Sequence, residues 1–148
     1  MAVTFRLARA ADLPALVAML SDDVLGRARE SADMAPYEAA FAEIAADPRQ
    51  QLIVGEDGGR IVATCQLTLL PGLSRKGARR ALVEAVRVVA DLRSSGIGAA
   101  LMAEAEARAR AAGAVMIQLT TDRSRTRAHA FYDRLGYEQS HLGYKKAL

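Results

Sequence analysis

Residues 86–101, VRVVADLRSSGIGAAL, hold the side chains and spacing most suited to chemistry. A Val-rich run leads into a loop with Arg93, the hydroxyls Ser94 and Ser95, and then Gly96-Ile97-Gly98 ahead of a helical segment. This is the composition of an anion site. The first N–H groups of a helix lack internal acceptors and point outward. The helix dipole places about half a positive charge at the same end. Glycines at 96 and 98 let a ligand approach the backbone closely. A phosphate or pyrophosphate suits such a place. Two familiar phosphate loops do not fit. A P-loop needs Gly-Lys-Ser/Thr, and here Ala99-Ala100 follows Gly98. A dinucleotide fingerprint needs a third glycine where Leu101 stands.

A loop of this kind must be held by a strand before it and a helix behind it, and the surrounding pattern supplies both. Val3, Phe5 and Leu7 alternate as in a strand. Asp12-Leu13-Pro14 opens a helix with Leu13, Leu16, Val17 and Leu20 on one stripe. Residues 21–35 have no clean period and suggest a loop or broken helix, and a helix follows from Pro36 to Asp47. Strand-like runs at 51–55 and 60–70 flank Glu56-Asp57-Gly58-Gly59, a hairpin turn. Further strands are expected at 81–90 and 114–120, helices at 96–112 and 125–135, and one or two short strands in 137–147. Strands and helices mix around one sheet, which predicts an α/β or α+β fold for residues 1–148 as a single domain.

The loop alone is a weak pattern, but its context is specific. Downstream lies Ala128-His129-Ala130-Phe131-Tyr132-Asp133-Arg134-Leu135-Gly136-Tyr137. The Arg93-x-x-Gly96-x-Gly98 loop after a Val-rich strand, followed by this Ala128/Phe131/Tyr132/Gly136/Tyr137 pattern, resembles the GCN5-related N-acetyltransferase (GNAT) superfamily. The opening TFRLARAADLPAL is similar to that family's first strand and helix. The resemblance implies a mixed, mostly antiparallel twisted sheet flanked by helices, with splayed strands at 81–90 and 114–120. It implies that backbone N–H groups of Arg93, Ser94, Ser95, Gly96, Ile97 and Gly98 hold the pyrophosphate of acetyl-CoA. Val86 and Val88 would offer backbone groups to the pantetheine, and an N–H near Val86 would polarise the thioester carbonyl. Tyr132 matches the tyrosine that protonates the departing thiolate in many members. Many members carry Asn seven residues before that tyrosine. Here the position is Arg125, which would pair instead with a CoA phosphate. Ala90 and Ser94 stand where Pro and Gly are common, and neither change removes a backbone donor.

Acetylating an alkyl amine requires a proton acceptor, because the amine is mostly protonated at neutral pH. Glu84 is the candidate. Simple alternation puts it on one face with Leu82, Val86 and Val88, with Arg87 on the other. A carboxylate on an apolar face is unusual unless paired or functional, and burial would raise its pKa toward a useful range. A bulge, common on this strand in the family, would break that alternation. The competing reading is a carboxylate paired with Arg79 or Arg80.

The composition sets the remaining bounds. Half the chain is apolar and a quarter charged, with a net charge of +3. Residues 1–74 carry 6 basic and 10 acidic side chains (−4), and residues 75–148 carry 14 and 7 (+7). That division suits a polyanionic cofactor on the second half and a cationic acceptor near Asp22, Asp23 and Glu30 on the first. No continuous basic stripe or aromatic platform favours nucleic acid. The single cysteine, Cys65, excludes a disulfide framework or a thiolate metal cluster, and no metal site is expected. No secretory signal or membrane span is visible, so a cytoplasmic protein is expected. The expected activity is acetyl-CoA-dependent N-acetyl transfer to a primary amine, of a small molecule, by direct attack in a ternary complex. The alternatives are a protein or peptide N-acetyltransferase and a non-catalytic acyl-CoA-binding sensor. The resemblance also suggests a homodimer.

Overall fold

The computed structural model describes residues 2–148, in two units, one ending at Gln118 and one spanning Leu119–Leu148. The first holds a five-stranded sheet in the order β1-β2-β3-β4-β5: β1 (Thr4–Leu7), β2 (Gln50–Asp57), β3 (Arg60–Leu70), β4 (Arg80–Val88) and β5 (Met116–Gln118). The first four pair antiparallel and β4 pairs β5 parallel. A parallel pair needs a crossover, which α5 (Ile97–Ala111) provides. Before the sheet's second strand come α1 (Leu13–Ser21), α2 (Val24–Arg29) and α3 (Ala35–Ala46). The region expected to be a loop or broken helix thus contains a short helix, capped by Asp23, whose carboxylate accepts from the Gly26 N–H.

The two faces of the sheet differ in chemistry. On one, Ile53, Cys65, Leu67, Leu69, Ala81 and Val83 are buried, as are Ile97, Leu101, Met102, Ala105 and Ala109 of α5, which packs on β3 and β4. Burial pushes the Cys65 thiol up to about 12, so it acts as a small apolar side chain. On the other face Val54 packs with Leu13, Leu16 and Met19 of α1. Farther along that face the residues turn polar: Gln50, Thr68 and Gln66 form one hydrogen-bonded group, with Gln50 Oε1 accepting from Gln66 Nε2 at 2.9 Å and Thr68 Oγ1 at 2.8 Å.

Pairing of β4 with β5 covers only Arg80–Leu82 against Met116–Gln118, and β4 continues alone on that side to Val88. This is the splay expected of 81–90 and 114–120. Between β3 and β4 lies α4 (Ser74–Gly77), a single left-handed turn with φ of 54° at Arg75 and 61° at Lys76. The second unit holds α6 (Thr126–Arg134). The strands expected in 137–147 are absent among the described residues. A strand exists only by pairing, and no segment there joins a ladder.

The entry to α1 is fixed by ions. Arg6 donates to Asp12 through both terminal nitrogens, at 2.7 and 3.0 Å, and reaches Glu56 at 3.1 Å. The Arg9 N–H also donates to Asp12 at 2.7 Å. The Arg6 guanidinium, helped by that N–H, holds the buried Asp12 carboxyl below the usual carboxylate range. A carboxyl depressed on folding stabilises above its unfolded pKa of about 4 and loses that contribution as pH falls. Asp12→Asn should therefore cost about 2 kcal/mol at neutral pH. In urea titrations the gap between wild type and variant should close as pH falls below about 4.

Candidate active site

The site is built around an extra residue in β4. Pairing with β3 runs in register from Leu70↔Arg80 to Gln66↔Glu84, then resumes at Thr64↔Arg87. Ala85 and Val86 together oppose Cys65, which is a β-bulge. Ala85 adopts φ 52°, a left-handed conformation that costs an alanine about 1–2 kcal/mol. Neither Ala85 nor Val86 has a register partner on β3 or β5. The peptides at 85–86 thus lie at the one stretch of β4 where the ladder is interrupted on both sides.

The bulge corrects the expected facing. Cross-strand partners share a face, so Gln66↔Glu84 and Thr64↔Arg87 put Arg87 on Glu84's side, while Ala63↔Val88 puts Val88 with Val83. Glu84 still shares its face with Leu82, but not with Val88. Glu84 is also exposed, and its neighbours across the ladder are polar, so it lacks the burial expected of it. Nor is it paired with Arg79 or Arg80. Arg79 donates to the Ala112 carbonyl and Arg80 to Gln118 Oε1.

Beyond β4, the chain makes a single 3-10 turn (Ala90–Leu92) and then the loop. Ser94 takes φ 64° and Gly96, the residue before α5, takes φ 91°. A Cβ on Gly96 would meet open space, so the backbone conformation, not crowding, asks for glycine. The first helical bond is the Ala100 N–H to the Gly96 carbonyl at 3.1 Å. The N–H groups of Ile97, Gly98 and Ala99 thus precede the ladder, Gly96 has no side chain to cap them, and the first turn has no acidic residue. The fit to a pyrophosphate is good.

Three arginines hold this loop and β4, and their roles had not been anticipated. Arg60 pairs bidentately with Asp91 at 2.8 and 2.9 Å, fixing the 3-10 turn to the β2–β3 hairpin. Arg93 turns its guanidinium back, to the Val88 carbonyl at 3.3 Å and to Asp22, whose carbonyl lies at 3.3 Å and carboxylate at 3.8 Å. Arg87 reaches the Val86 carbonyl at 2.9 Å and lies 3.3 Å from the Asp23 carboxylate. Asp22 and Asp23 are therefore engaged within the protein, and Glu30 accepts from the Tyr37 hydroxyl at 2.8 Å. Those three carboxylates are not a free lure for a cationic acceptor.

Tyr132 and Arg125 lie in the second unit. Arg125 precedes α6, and its N–H donates to the Asp122 carbonyl at 3.0 Å. At the other end, the Gly136 N–H donates to the Asp133 carbonyl and the Tyr137 N–H to the Tyr132 carbonyl, both at 3.1 Å. Gly136 sits at φ 89°. This is a Schellman stop. The Tyr132 ring lies between Phe131, 5.0 Å away, and Tyr137, 5.8 Å away, both edge-on. The Phe131-Tyr132…Gly136-Tyr137 pattern is thus partly a helix terminator that fixes the tyrosine's backbone and flanks its ring.

A family model for the acetyltransferase (GNAT) family matches residues 16–137. The chain belongs to that family. Its members typically use acetyl-CoA. None of the curated proteins compared with the chain matches it. Among solved structures, a transcriptional regulator from Bacillus halodurans C-125 is 43% identical, with a TM-score of 0.96 over 99% of this chain and 100% of that one. A proposed acetyltransferase from Agrobacterium tumefaciens str. C58 is 28% identical, with a TM-score of 0.88 over 98% and 99%. Glucosamine-6-phosphate N-acetyltransferase from Arabidopsis thaliana shares the fold, with a TM-score of 0.83 at 16% identity over 99% of both chains. Among the described residues no helix is long and apolar enough to cross a membrane.

A side chain at φ 91° is strained, so Gly96→Asp should lose about 1–2 kcal/mol of stability and still fold. Its carboxylate would occupy the place of a phosphate. CoA affinity by calorimetry should fall by more than about 100-fold. Retained affinity would show that the loop is not the pyrophosphate site.

Proposed function

We propose that the protein transfers the acetyl group of acetyl-CoA to a primary amine of a small molecule, by direct attack in a ternary complex. The observation that carries this reading is the bulge at Ala85–Val86 followed, beyond the 3-10 turn and loop, by the glycine-led start of α5. One contiguous segment thereby offers donors to a carbonyl and donors to a pyrophosphate. Acetyl-CoA supplies the acetyl group already activated as a thioester. The N–H groups of Arg93–Gly98 bind its pyrophosphate, with Arg125 on a phosphate. Backbone groups of Val86 and Val88 align the pantetheine. The donor near Val86 stabilises the negative charge that develops on the carbonyl oxygen.

Glu84 accepts the proton lost by the amine, directly or through water. Its exposure lets water relay that proton. Tyr132 delivers a proton to sulfur as the C–S bond breaks and the C–N bond forms. The reading places the protein in the cytoplasm as a homodimer.

A second reading is favoured by one observation, the transcriptional regulator at 43% identity. A non-catalytic acyl-CoA-binding domain would keep the Gly96/Gly98 loop and tolerate Tyr132→Phe and Glu84→Gln without loss of function. Free thiol release from acetyl-CoA across a panel of amines and amine-bearing peptides separates the readings. Small amines should release thiol, release with peptides alone would move the acceptor to protein, and tight CoA binding without release would favour the sensor. In the active enzyme, Tyr132→Phe should lower kcat by more than about tenfold with little change in CoA affinity. An unchanged kcat would remove Tyr132 from the role of acid.

A further inference from the structure

On the polar face of the sheet, Arg80, Leu82 and Glu84 alternate along β4 ahead of the bulge. Arg80 is half-buried and Glu84 exposed, and neither has an ion-pair partner among the described residues. Most other charged groups near the site are spent on one another: Arg87 with Asp23, Arg93 with Asp22, Arg60 with Asp91. One unpaired cation and one unpaired anion therefore remain on a single strand face. The cation is aimed. Arg80 donates to Gln118 Oε1 at 2.9 Å, and Gln118 is the register partner of Leu82 between the two charges. The guanidinium has five donors in a planar fork, so four are left. Beside this row, Gln66 stands opposite Glu84 and Thr68 opposite Leu82, both already fixed on Gln50. The result is a preorganised polar floor with opposite charges at its ends.

We propose that the acceptor is an amine carrying a carboxylate, with the amine at Glu84 and the carboxylate at Arg80. This rests on the acetyltransferase reading and names the substrate class for it. Two charges four residues apart on a strand have Cα atoms roughly 13 Å apart. Two flexible side chains shorten that span, so the amine and acid of the ligand are separated by several carbon atoms. A single guanidinium matches a monoanion, and its fork matches a carboxylate in a bidentate pair. Arg80 is a specificity residue and Gln118 positions it.

The test compares thiol release from acetyl-CoA with δ-aminovalerate, n-pentylamine and cadaverine, which differ only at the far end. Wild type should prefer δ-aminovalerate to n-pentylamine in kcat/KM by at least about tenfold. Arg80→Gln should bring that ratio to about one, mainly through KM. Arg80→Glu should turn the preference toward cadaverine, a gain that misfolding cannot produce. If Arg80→Gln does not fold, Gln118→Ala must lower the ratio instead. Equal use of δ-aminovalerate and n-pentylamine by wild type, or a ratio that survives Arg80→Gln, overturns the inference and leaves acetyl transfer standing. No thiol release from any amine, with CoA still bound, overturns acetyl transfer and this inference with it.

Discussion

The structure around the site depends on one break in the register of the sheet. A strand satisfies its peptides through its neighbours, and an unsatisfied buried peptide is costly. In β4 the register with those neighbours is interrupted over two residues. One extra residue opposes Cys65, and β5 has already ended its pairing at Leu82. Ala85 takes a left-handed conformation to make this possible. The strain is local, and the elements around it are well packed: Cys65 and Val83 are fully buried beside the bulge. A sheet packed this closely on one side can hold the interrupted stretch in a fixed conformation.

Positive charge does two kinds of work here. The N–H groups at the start of α5 form a fixed field that no side chain supplies. The arginines around it act mainly as braces. Arg60, Arg87 and Arg93 each tie β4 or its loop to another element; Arg87 and Arg93 do so through Asp23 and Asp22 of the acidic first half, and Arg60, itself in that half, through Asp91. Part of the contrast between an acidic first half and a basic second half is therefore internal pairing. Charge arithmetic along the chain detected that the halves were complementary. It could not say that much of the complement was for each other.

The sequence was informative where local chemistry decides the outcome. Gly96 and Gly98 before an apolar helical run, the Glu56–Gly59 turn and the Phe131…Tyr137 helix stop each follow from residue type, and each formed as expected. The facing of Glu84 was less legible, because period-two alternation holds only while the register does. Nothing about an alanine at 85 announces a left-handed bulge, since alanine is a poor residue for that conformation. The partners of Asp22 and Asp23 were hidden for another reason. They lie more than sixty residues away in sequence, and long-range ion pairs leave no local pattern. Arg87, a charge within a Val-rich strand, was the one visible hint. The expected strands after Tyr137 rested on composition alone, and composition cannot supply a pairing partner.

The bulge also lets β4 carry a residue that regular pairing could not place. In a surface loop, removing a residue shortens a tether. At Ala85, removing one would leave Val86 alone opposite Cys65 and restore an unbroken ladder, with Arg87 still opposite Thr64 and Val88 still opposite Ala63. The facing of the strand would survive, and the interruption ahead of the phosphate loop would be lost. For a chain that drifts by insertion and deletion, this strand is the place where a single codon counts most, while the tip of the β2–β3 hairpin, with its two exposed glycines, is where it counts least.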